Sequence, residues 1–436
     1  MIYVLCPANC ATGGPELLHQ LGYKLNLFGY EANMVYYDQK KGVHPVCEQY
    51  EKYHVPFTSD VYRSSGNMII LPEVMITIIQ SLENFCCAVW WLSVDNAQYT
   101  EADIEYMRTN KNIYHIVQSQ YALDFLENTL NIKENIYYLS DYINSEFFAS
   151  SMQDDDFRAD TVLFNPRKGI TKTLELIAQS DHRIKWQALA GLTPEGMREV
   201  MKKAKVYIDF GHHPGKDRIP REATICGCRI ITNKKGSAKN DKDIPIPERY
   251  KFDENANTKD ILNCIYDLIQ NYSQKREDYK VYLDKITNEF IEFEKDIVKF
   301  FSIFIKDDIL SLDTQTDYIQ AMVTEIERGN HSLALRYLVD YRIKNFEENT
   351  TVDILETVIR IGIGEYQEAQ ICAIRGLKIA PDNYELHLNL AHAYLRLGSI
   401  GACAKHCAQA ISYSVNTPDA MYVKEICDNM LQSVTS

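Results

Sequence analysis

The sequence has little glycine and proline, no long apolar run and no signal-peptide pattern. Its 436 residues include 19 glycines and 13 prolines, below the roughly 7% and 5% of average proteins, which argues against a disordered chain. No apolar run approaches the roughly 20 residues that span a bilayer. The first residues, MIYVLCP, lack a basic segment and begin a strand pattern, so we expect no signal peptide.

The twelve cysteines lack the CxxC spacing of a structural zinc site. Cys403, His406 and Cys407 have no second ligand pair and are interpreted as core residues, so we expect no metal. Scattered thiols are typical of a reducing cytoplasm, with peripheral association at the inner face of a membrane as the alternative. The formal net charge of -14 argues against nucleic acid as a partner.

Residues 1–150 alternate short apolar runs with amphipathic helix patterns. Continuous apolar runs, rather than strict alternation, indicate strands that are covered on both faces, as in a parallel sheet. The pattern predicts strands at 2–7, 34–37, 68–72, 88–93 and 113–117, with a helix at 15–28. Strand and helix repetition of this kind predicts a doubly wound α/β domain.

A polar segment at 150–160 precedes a second pattern of the same kind, which we assign to a domain at 151–312. It predicts strands at 161–164, 186–190, 206–210 and 229–232, helices at 171–179, 193–203 and 221–226, and mostly helix over 257–310. Two such halves would enclose a cleft at the carboxyl ends of their strands, where ligands bind. The acids at 154–156 and at Asp241 and Asp243 are interpreted as linker and loop residues, not metal ligands.

Residues 313–436 show an internal repeat in an all-helical pattern. Glycines at 329, 364 and 398 are spaced by 35 and 34 residues, and each is followed five residues later by a small residue, Ala334, Ala369 or Cys403. This period is typical of tetratricopeptide-like helix pairs. We expect about three degenerate repeats, which would offer a surface to a protein partner.

The densest positive charge lies at 212–222, between a predicted strand and a predicted helix. Its members are His212, His213, Lys216, Arg218 and Arg221, followed by Glu222. A glycine-containing loop that opens a helix presents N–H groups and the positive end of the helix dipole to an anion. Guanidinium groups match phosphate oxygens. We interpret the segment as an anion site, with a solvated surface loop as the alternative.

Three other places carry candidate residues. Gly13 and Gly14 form a tight turn before a helix and would either serve only the turn or let the backbone approach an anion. Arg167 and Lys168 follow a strand, as a second phosphate contact or as an exposed turn. Asp95 follows the strand run AVWWLSV, as a general base or as a helix N-cap.

These segments together resemble a GT-B fold glycosyltransferase of the family 4/1-like, bacterial surface-polysaccharide type. The motifs are ATGGPELLHQL at 11–21, WWLSVDN at 90–96, LFNPRKG at 163–169 and PREATICGCRII at 220–231. The resemblance covers about residues 1–310. It implies an α/β chain with two Rossmann-like domains followed by an all-α tetratricopeptide-like domain.

The resemblance also implies an activity: transfer of a sugar from a nucleotide-sugar donor to a glycan or lipid-linked glycan, with no resident cofactor. Glu222 would bind the donor ribose, the basic residues would neutralise the diphosphate, and Asp95 would be the base of an inverting reaction. The sequence departs from the retaining families at Pro214, where they place a second Glu, and Arg229 replaces a usual Pro. The alternatives are a protein-modifying enzyme whose repeats hold a polypeptide, and a non-catalytic scaffold.

Overall fold

The computed structural model describes residues 1–64, 66–150, 158–304 and 312–435. The chain divides into two compact units, Met1–Ile305 and Lys306–Ser436. The first unit contains two parallel sheets, and we call the residues around them its first half (1–150) and its second half (158–304). The acids predicted as linker residues at 154–156 lie outside the described residues.

The first half is built on a six-stranded parallel sheet with the order β2-β1-β3-β4-β5-β6. Its strands are β1 (Ile2–Pro7), β2 (Ala32–Tyr37), β3 (Met68–Pro72), β4 (Cys86–Trp91), β5 (Ile113–Val117) and β6 (Ile136–Tyr138). Its helices are α1 (Gly13–Leu27), α2 (Glu101–Thr109) and α3 (Gln120–Asp124). The five predicted strands are confirmed, with each start and end within two residues of its predicted position, and β6 is additional. Its three half-exposed residues carry no apolar run that could have predicted it.

Two adjacent tryptophans explain why the strand runs are continuously apolar. Successive side chains of a strand point to opposite faces, and Trp90 and Trp91 are both fully buried. Trp91 packs in the core under α2 and α3, whereas Trp90 stacks on Phe293 from the second half. The sheet is therefore covered on both sides, as the runs predict.

The second half contains a five-stranded parallel sheet with the order β11-β10-β9-β7-β8. Its strands are β7 (Ala159–Phe164), β8 (Lys185–Ala188), β9 (Ala204–Asp209), β10 (Arg229–Asn233) and β11 (Lys251–Phe252). Its helices are α4 (Ile170–Gln179), α5 (Pro194–Lys203), α6 (Arg218–Ile225), α7 (Thr258–Gln270) and α8 (Lys280–Phe301). The four predicted strands are confirmed, and the two-residue β11 is additional. Helix α6 begins three residues before its predicted start because Pro220 lies in the first turn, where its missing N–H is tolerated.

Helix α8 packs against both halves of the first unit. Glu289, near the middle of α8, forms an ion pair with Arg221 of helix α6 in the second half. Farther along, Glu294 forms an ion pair with Lys24 of α1, with 2.7 Å between Nζ and Oε1 and both side chains buried. Phe293 and the end of α8 contact Trp90 and Tyr137 of the first sheet. The helix thus joins the halves by apolar and charged contacts together.

The second unit is a stack of helices. They are α9 (Gln315–Glu327), α10 (His331–Ile343), α11 (Thr350–Ile363), α12 (Tyr366–Ile379), α13 (Tyr384–Arg396), α14 (Ile400–Ser414) and α15 (Ala420–Thr435). Gly329, Gly364 and Gly398 have φ of 76°, 85° and 72° and each follows the first helix of a pair, a left-handed conformation that favours glycine. The small residues that follow them are buried. The tetratricopeptide assignment stays a prediction.

Charged groups occupy the interior of the second unit. The fully buried Glu356 carboxylate lies 2.5 Å from Nη2 of Arg342, 3.0 Å from Nη2 of Arg360 and 2.7 Å from Nη2 of Arg375. Burial alone would raise the pKa of Glu356, but the three guanidinium groups hold that pKa well below its ordinary value. One carboxylate therefore contacts guanidinium groups of three helices, α10, α11 and α12.

We predict that Glu356→Gln destabilises the second unit by about 3–5 kcal/mol, because removing one partner leaves buried charges uncompensated. The three tryptophans, Trp90, Trp91 and Trp186, all lie in the first unit. Urea unfolding should therefore show an earlier loss of helical circular dichroism with an unchanged tryptophan-fluorescence transition. The exposed Glu327→Gln is the control, and identical dichroism curves for both variants would contradict the prediction.

Candidate functional site

A cavity of about 910 Å³ lies between the two halves of the first unit. The first half contributes residues 10–18 after β1, 72–74 after β3, and Leu92, Ser93 and Gln118 after β4 and β5. The second half contributes residues 215–219 and Glu222, from the loop after β9 and from α6. These are carboxyl ends of parallel strands, where α/β sheets bind ligands.

The two halves meet through their backbones at the cavity edge. The Val94 N–H donates to the Pro214 carbonyl at 3.0 Å, and Ser93 and Gly215 form an antiparallel bridge. A Cβ at position 215 would lie 2.0 Å from the Leu92 carbonyl oxygen. Glycine is required there for close approach between the halves, which differs from the anion-binding loop that the sequence predicts.

Asp243, predicted to be a loop acid, also joins the halves. Its carboxylate accepts the Gln120 and Tyr121 backbone N–H groups at 2.8 and 2.9 Å. These are the first N–H groups of α3 in the first half, which have no acceptor within the helix. Asp243 of the second half supplies that acceptor.

The glycine turn lies where the sequence predicts it, at the cavity. Gly13 and Gly14 begin α1 and line the cavity wall. A Cβ at Gly13 would lie 3.0 Å from Cδ of Arg218, a side chain of the second half. The turn therefore brings the backbone close to a guanidinium group, and its contact with an anionic ligand stays a prediction.

Arg218 and Glu222 are brought together in the cavity with a residue that sequence reasoning missed. The Arg218 guanidinium contacts the Glu16 carboxylate of α1 and lies 3.3 Å from Oε1 of Glu222. Burial raises the pKa of Glu222, although Arg218 opposes the change. The position of Glu16 in the first turn of α1, after two glycines, could have indicated a cavity residue. The sequence could not show its pairing with Arg218, which lies 202 residues away.

Lys216 and Arg221 belong to a buried ion-paired cluster with Asp141 and Glu289, which we call the charge joint. Arg221 binds both Asp141 oxygens, at 3.1 and 2.5 Å, and Oε2 of Glu289 at 2.8 Å. The Lys216 Nζ lies 2.9 Å from a carboxylate oxygen of each acid. Lys216 lines the cavity, but Arg221 does not and is 1% exposed. The cationic loop is therefore mainly a joint between elements, because its charges are neutralised within the protein.

The structure pairs Asp95 with His212 and brings neither to the cavity wall. Nε2 of His212 lies 2.7 Å from Oδ2 of Asp95, and the Tyr121 hydroxyl lies 3.1 Å from both Asp95 oxygens. Ser93 and Asn96 line the cavity, whereas Asp95 does not. The alternative of a helix N-cap is wrong, because Thr100 caps α2.

His213 lies between two carboxylates. It is fully buried, with Nδ1 2.9 Å from Oδ2 of Asp217 and Nε2 3.6 Å from Oδ1 of Asp209. Among the residues that the structure describes, these three form the one group with metal-ligand character. However, the ring nitrogens face different acids, whereas a metal ion needs its ligands around one point. Lys168 already binds Asp217 at 2.5 Å, so Asp217 has a cationic partner within the protein and we assign no metal.

The basic turn after β7 does not reach the cavity wall. Lys168 is committed to Asp217, and Arg167 is exposed with its backbone N–H bonded to the Asn165 side chain at 3.0 Å. Neither side chain lines the cavity. Their predicted contact with phosphate therefore has no support from the arrangement of the side chains.

Glu73 is a cavity residue that sequence reasoning did not select. It follows β3 and is 3% exposed, and its Oε2 accepts the Leu92 N–H at 3.0 Å. Burial raises the pKa of Glu73 to about 7, although backbone N–H groups oppose the change. An acid directly after a buried strand was the same signal that selected Asp95.

We predict that Glu73→Gln stabilises the first unit at pH 8 by about 3 kcal/mol. The folded-state pKa of Glu73, about 7, lies above the ordinary glutamate value of 4.5, so folding favours the protonated acid and wild-type stability falls as pH rises through this window. Glutamine removes that loss. Tryptophan-fluorescence unfolding at pH 5 and pH 8 checks it, and an equal effect at both pH values would contradict it.

The chain matches no protein-family model and no curated protein. Several solved structures share its fold. A glycosyltransferase from Rickettsia africae is 11% identical, with 70% of this chain and 99% of that chain covered and a TM-score of 0.54. Anabaena HepE, solved in complex with UDP-glucose, is 11% identical, with 69% and 99% covered and a TM-score of 0.50.

The sucrose-phosphate synthase of Thermosynechococcus elongatus is 15% identical, with 70% of this chain and 98% of that chain covered and a TM-score of 0.51. At these identities the likeness shows the fold. The first unit has the GT-B fold. The prediction of two Rossmann-like halves is thereby confirmed. Separately, no helix in the described ranges has the length and apolarity to cross a bilayer.

Proposed function

We propose that this protein is a glycosyltransferase that moves a sugar from a nucleotide-sugar donor to a hydroxyl of a glycan or lipid-linked glycan, in bacterial surface-polysaccharide synthesis. The observation that carries the proposal is the cavity between the halves. Its volume of about 910 Å³ falls in the range of ligand sites, roughly 300–1,000 Å³. Its wall combines a glycine turn and a guanidinium group, which suit a phosphate, with carboxylates, which can accept hydrogen bonds from sugar hydroxyls.

The proposed donor site consists of four residues that line the cavity together: Arg218, Glu222, Gly13 and Gly14. Arg218 would stabilise the diphosphate as it leaves, where negative charge develops. Glu222 would accept hydrogen bonds from the ribose hydroxyls. Neither role needs a resident metal or cofactor.

Arg218 must change partners for this to occur. It contacts Glu16 and Glu222, one carboxylate from each half. A donor diphosphate would have to replace at least one of them, and Glu16 is the candidate because Glu222 is needed for the ribose. Lys216 and Arg221 would keep the halves in place through the charge joint, and we assign no donor contact to His212, His213, Arg167 or Lys168.

A non-catalytic scaffold is the second candidate, and one observation favours it. In the part of the chain that the structure describes, three cations line the cavity, and each has a carboxylate partner: Lys52, Lys216 and Arg218. We propose in either case that the second unit is tetratricopeptide-like. Its helices would hold a protein partner or, in a protein-modifying enzyme, the polypeptide acceptor.

Nucleotide binding separates these candidates. We predict that the full chain binds one of UDP, GDP, ADP or CMP, or its sugar conjugate, in calorimetry. Arg218→Ala should weaken that binding by about 10- to 100-fold, because a hydrogen bond to a charged group contributes about 1.5–3 kcal/mol.

Arg183→Ala is the matched control, since Arg183 lies in the same half, pairs with Asp181 and is 80% exposed in its side chain. Thermal unfolding checks that each variant is folded. Absence of nucleotide binding at millimolar concentration would favour the scaffold, and unchanged binding by a folded Arg218→Ala would reject the assigned donor site.

A further inference from the structure

Glu73 differs in charge environment from the other acids of the cavity. Among the described residues, six carboxylates line it: Glu16, Glu73, Asp141, Glu146, Asp217 and Glu222. Five have a cationic partner within 3.3 Å: Arg218 for Glu16 and Glu222, Arg221 for Asp141, Lys52 for Glu146 and Lys168 for Asp217. Within the described parts of the chain, Glu73 has none.

A carboxylate without a cationic partner lowers the stability of the folded protein at this buried position. Glu73 is 3% exposed, and burying a charge without a counter-charge opposes folding. The Leu92 N–H that it accepts could be accepted equally by a glutamine. Groups held at such cost are concentrated at functional sites, where a carboxylate of raised basicity is useful.

The position of Glu73 suits contact with an acceptor. It follows the buried strand β3 and lines the cavity with its neighbours Pro72 and Val74, all in the first half. The groups assigned to the donor diphosphate and ribose, Arg218 and Glu222, come from the second half. The cavity thus has an unpaired carboxylate from the first half, whereas the side chains assigned to the donor come from the second half.

Other groups that could accept a proton are excluded by geometry. Asp95 and His212 pair with one another outside the cavity wall. His213 is enclosed by Asp209 and Asp217. The other five carboxylates of the cavity already contact a cationic side chain each, which would compete with a proton for the carboxylate oxygens.

We propose that Glu73 is the catalytic base of the glycosyl transfer. The inference rests on the proposed function. The acceptor oxygen attacks the anomeric carbon, and its proton passes to the Glu73 carboxylate. The bond between the anomeric carbon and the diphosphate oxygen breaks, and both its electrons leave with the nucleoside diphosphate. This single displacement inverts the configuration of the sugar.

The test uses water as the acceptor, so that no natural acceptor has to be known. UDP-glucose, GDP-glucose and ADP-glucose are incubated with the full chain, nucleotide release is measured, and calorimetry gives the affinity for the matching nucleoside diphosphate. Glu73→Gln should slow release about 100-fold or more, since a general base contributes about 10²- to 10⁴-fold. Its nucleotide affinity should stay within about twofold of wild type, because Glu73 does not hold the donor.

Two further readouts distinguish a base from a structural residue. Wild-type release should fall as pH drops through about 7, the pKa of Glu73, while Glu73→Asp should retain a pH-dependent fraction of the rate. Glu83→Gln, on an exposed residue after the 3-10 helix that begins at Glu73, should behave as wild type. The sugar released should have inverted configuration.

The outcomes separate this inference from the proposed function. Failure to bind any nucleotide or nucleotide sugar rejects the proposed function itself. Binding without release by wild type, full release by Glu73→Gln, or retained configuration overturns the base assignment and leaves the donor site standing. A Glu73→Gln variant that folds but loses nucleotide affinity would make Glu73 a donor contact and would also overturn it.

Discussion

Four buried charges hold the cavity in its shape. Lys216 and Arg221 carry two positive charges, Asp141 and Glu289 carry two negative charges, and all four side chains are at most 7% exposed. They come from the loop after β9, helix α6, the segment after β6 and helix α8. Because each ion has partners of opposite sign, the group is stable only when it is complete. The loop that faces the first half depends on it for its position.

The same joint decides which charges remain for a ligand. The sequence places five basic or imidazole groups in eleven residues, but the folded protein uses most of them internally. Arg218 differs from Lys216, because both partners of Arg218, Glu16 and Glu222, line the cavity. Lys216 also pairs with Glu289, which does not line it. A bound phosphate would exchange one carboxylate for another anion, which keeps the guanidinium compensated with and without ligand. The proposed donor binding would therefore be linked to the contact between the halves at the Arg218 side chain.

The fold was predictable because its signals are local. Continuous apolar runs gave the long strands, and Gly329, Gly364 and Gly398 marked turns whose positive φ needs glycine. Strands β6 and β11 were not predicted, because segments of three and two residues are too short to show a hydrophobic period. The start of α6 was misplaced because a proline in a first turn has the same appearance in sequence as a proline that ends a helix.

The site was less predictable because ion pairing is not local. Arg221 and its partners Asp141 and Glu289 are separated by 80 and 68 residues, so no spacing shows that the arginine is occupied. Asp95 and Glu73 both follow buried strands, and only the folded chain shows that Glu73 lines the cavity and Asp95 does not. The two α/β patterns predicted a cleft and the basic segment predicted charge at it, but only the tertiary contacts distinguish a free carboxylate from a paired one.

The most direct measurement is a crystal structure of the full chain with the nucleotide or nucleotide sugar that binds it. The account predicts the diphosphate within hydrogen-bond distance of Arg218, with the Glu16 contact broken and the charge joint intact. A nucleotide bound away from this cavity, or an Arg218 still held by both Glu16 and Glu222 beside the bound diphosphate, would contradict it.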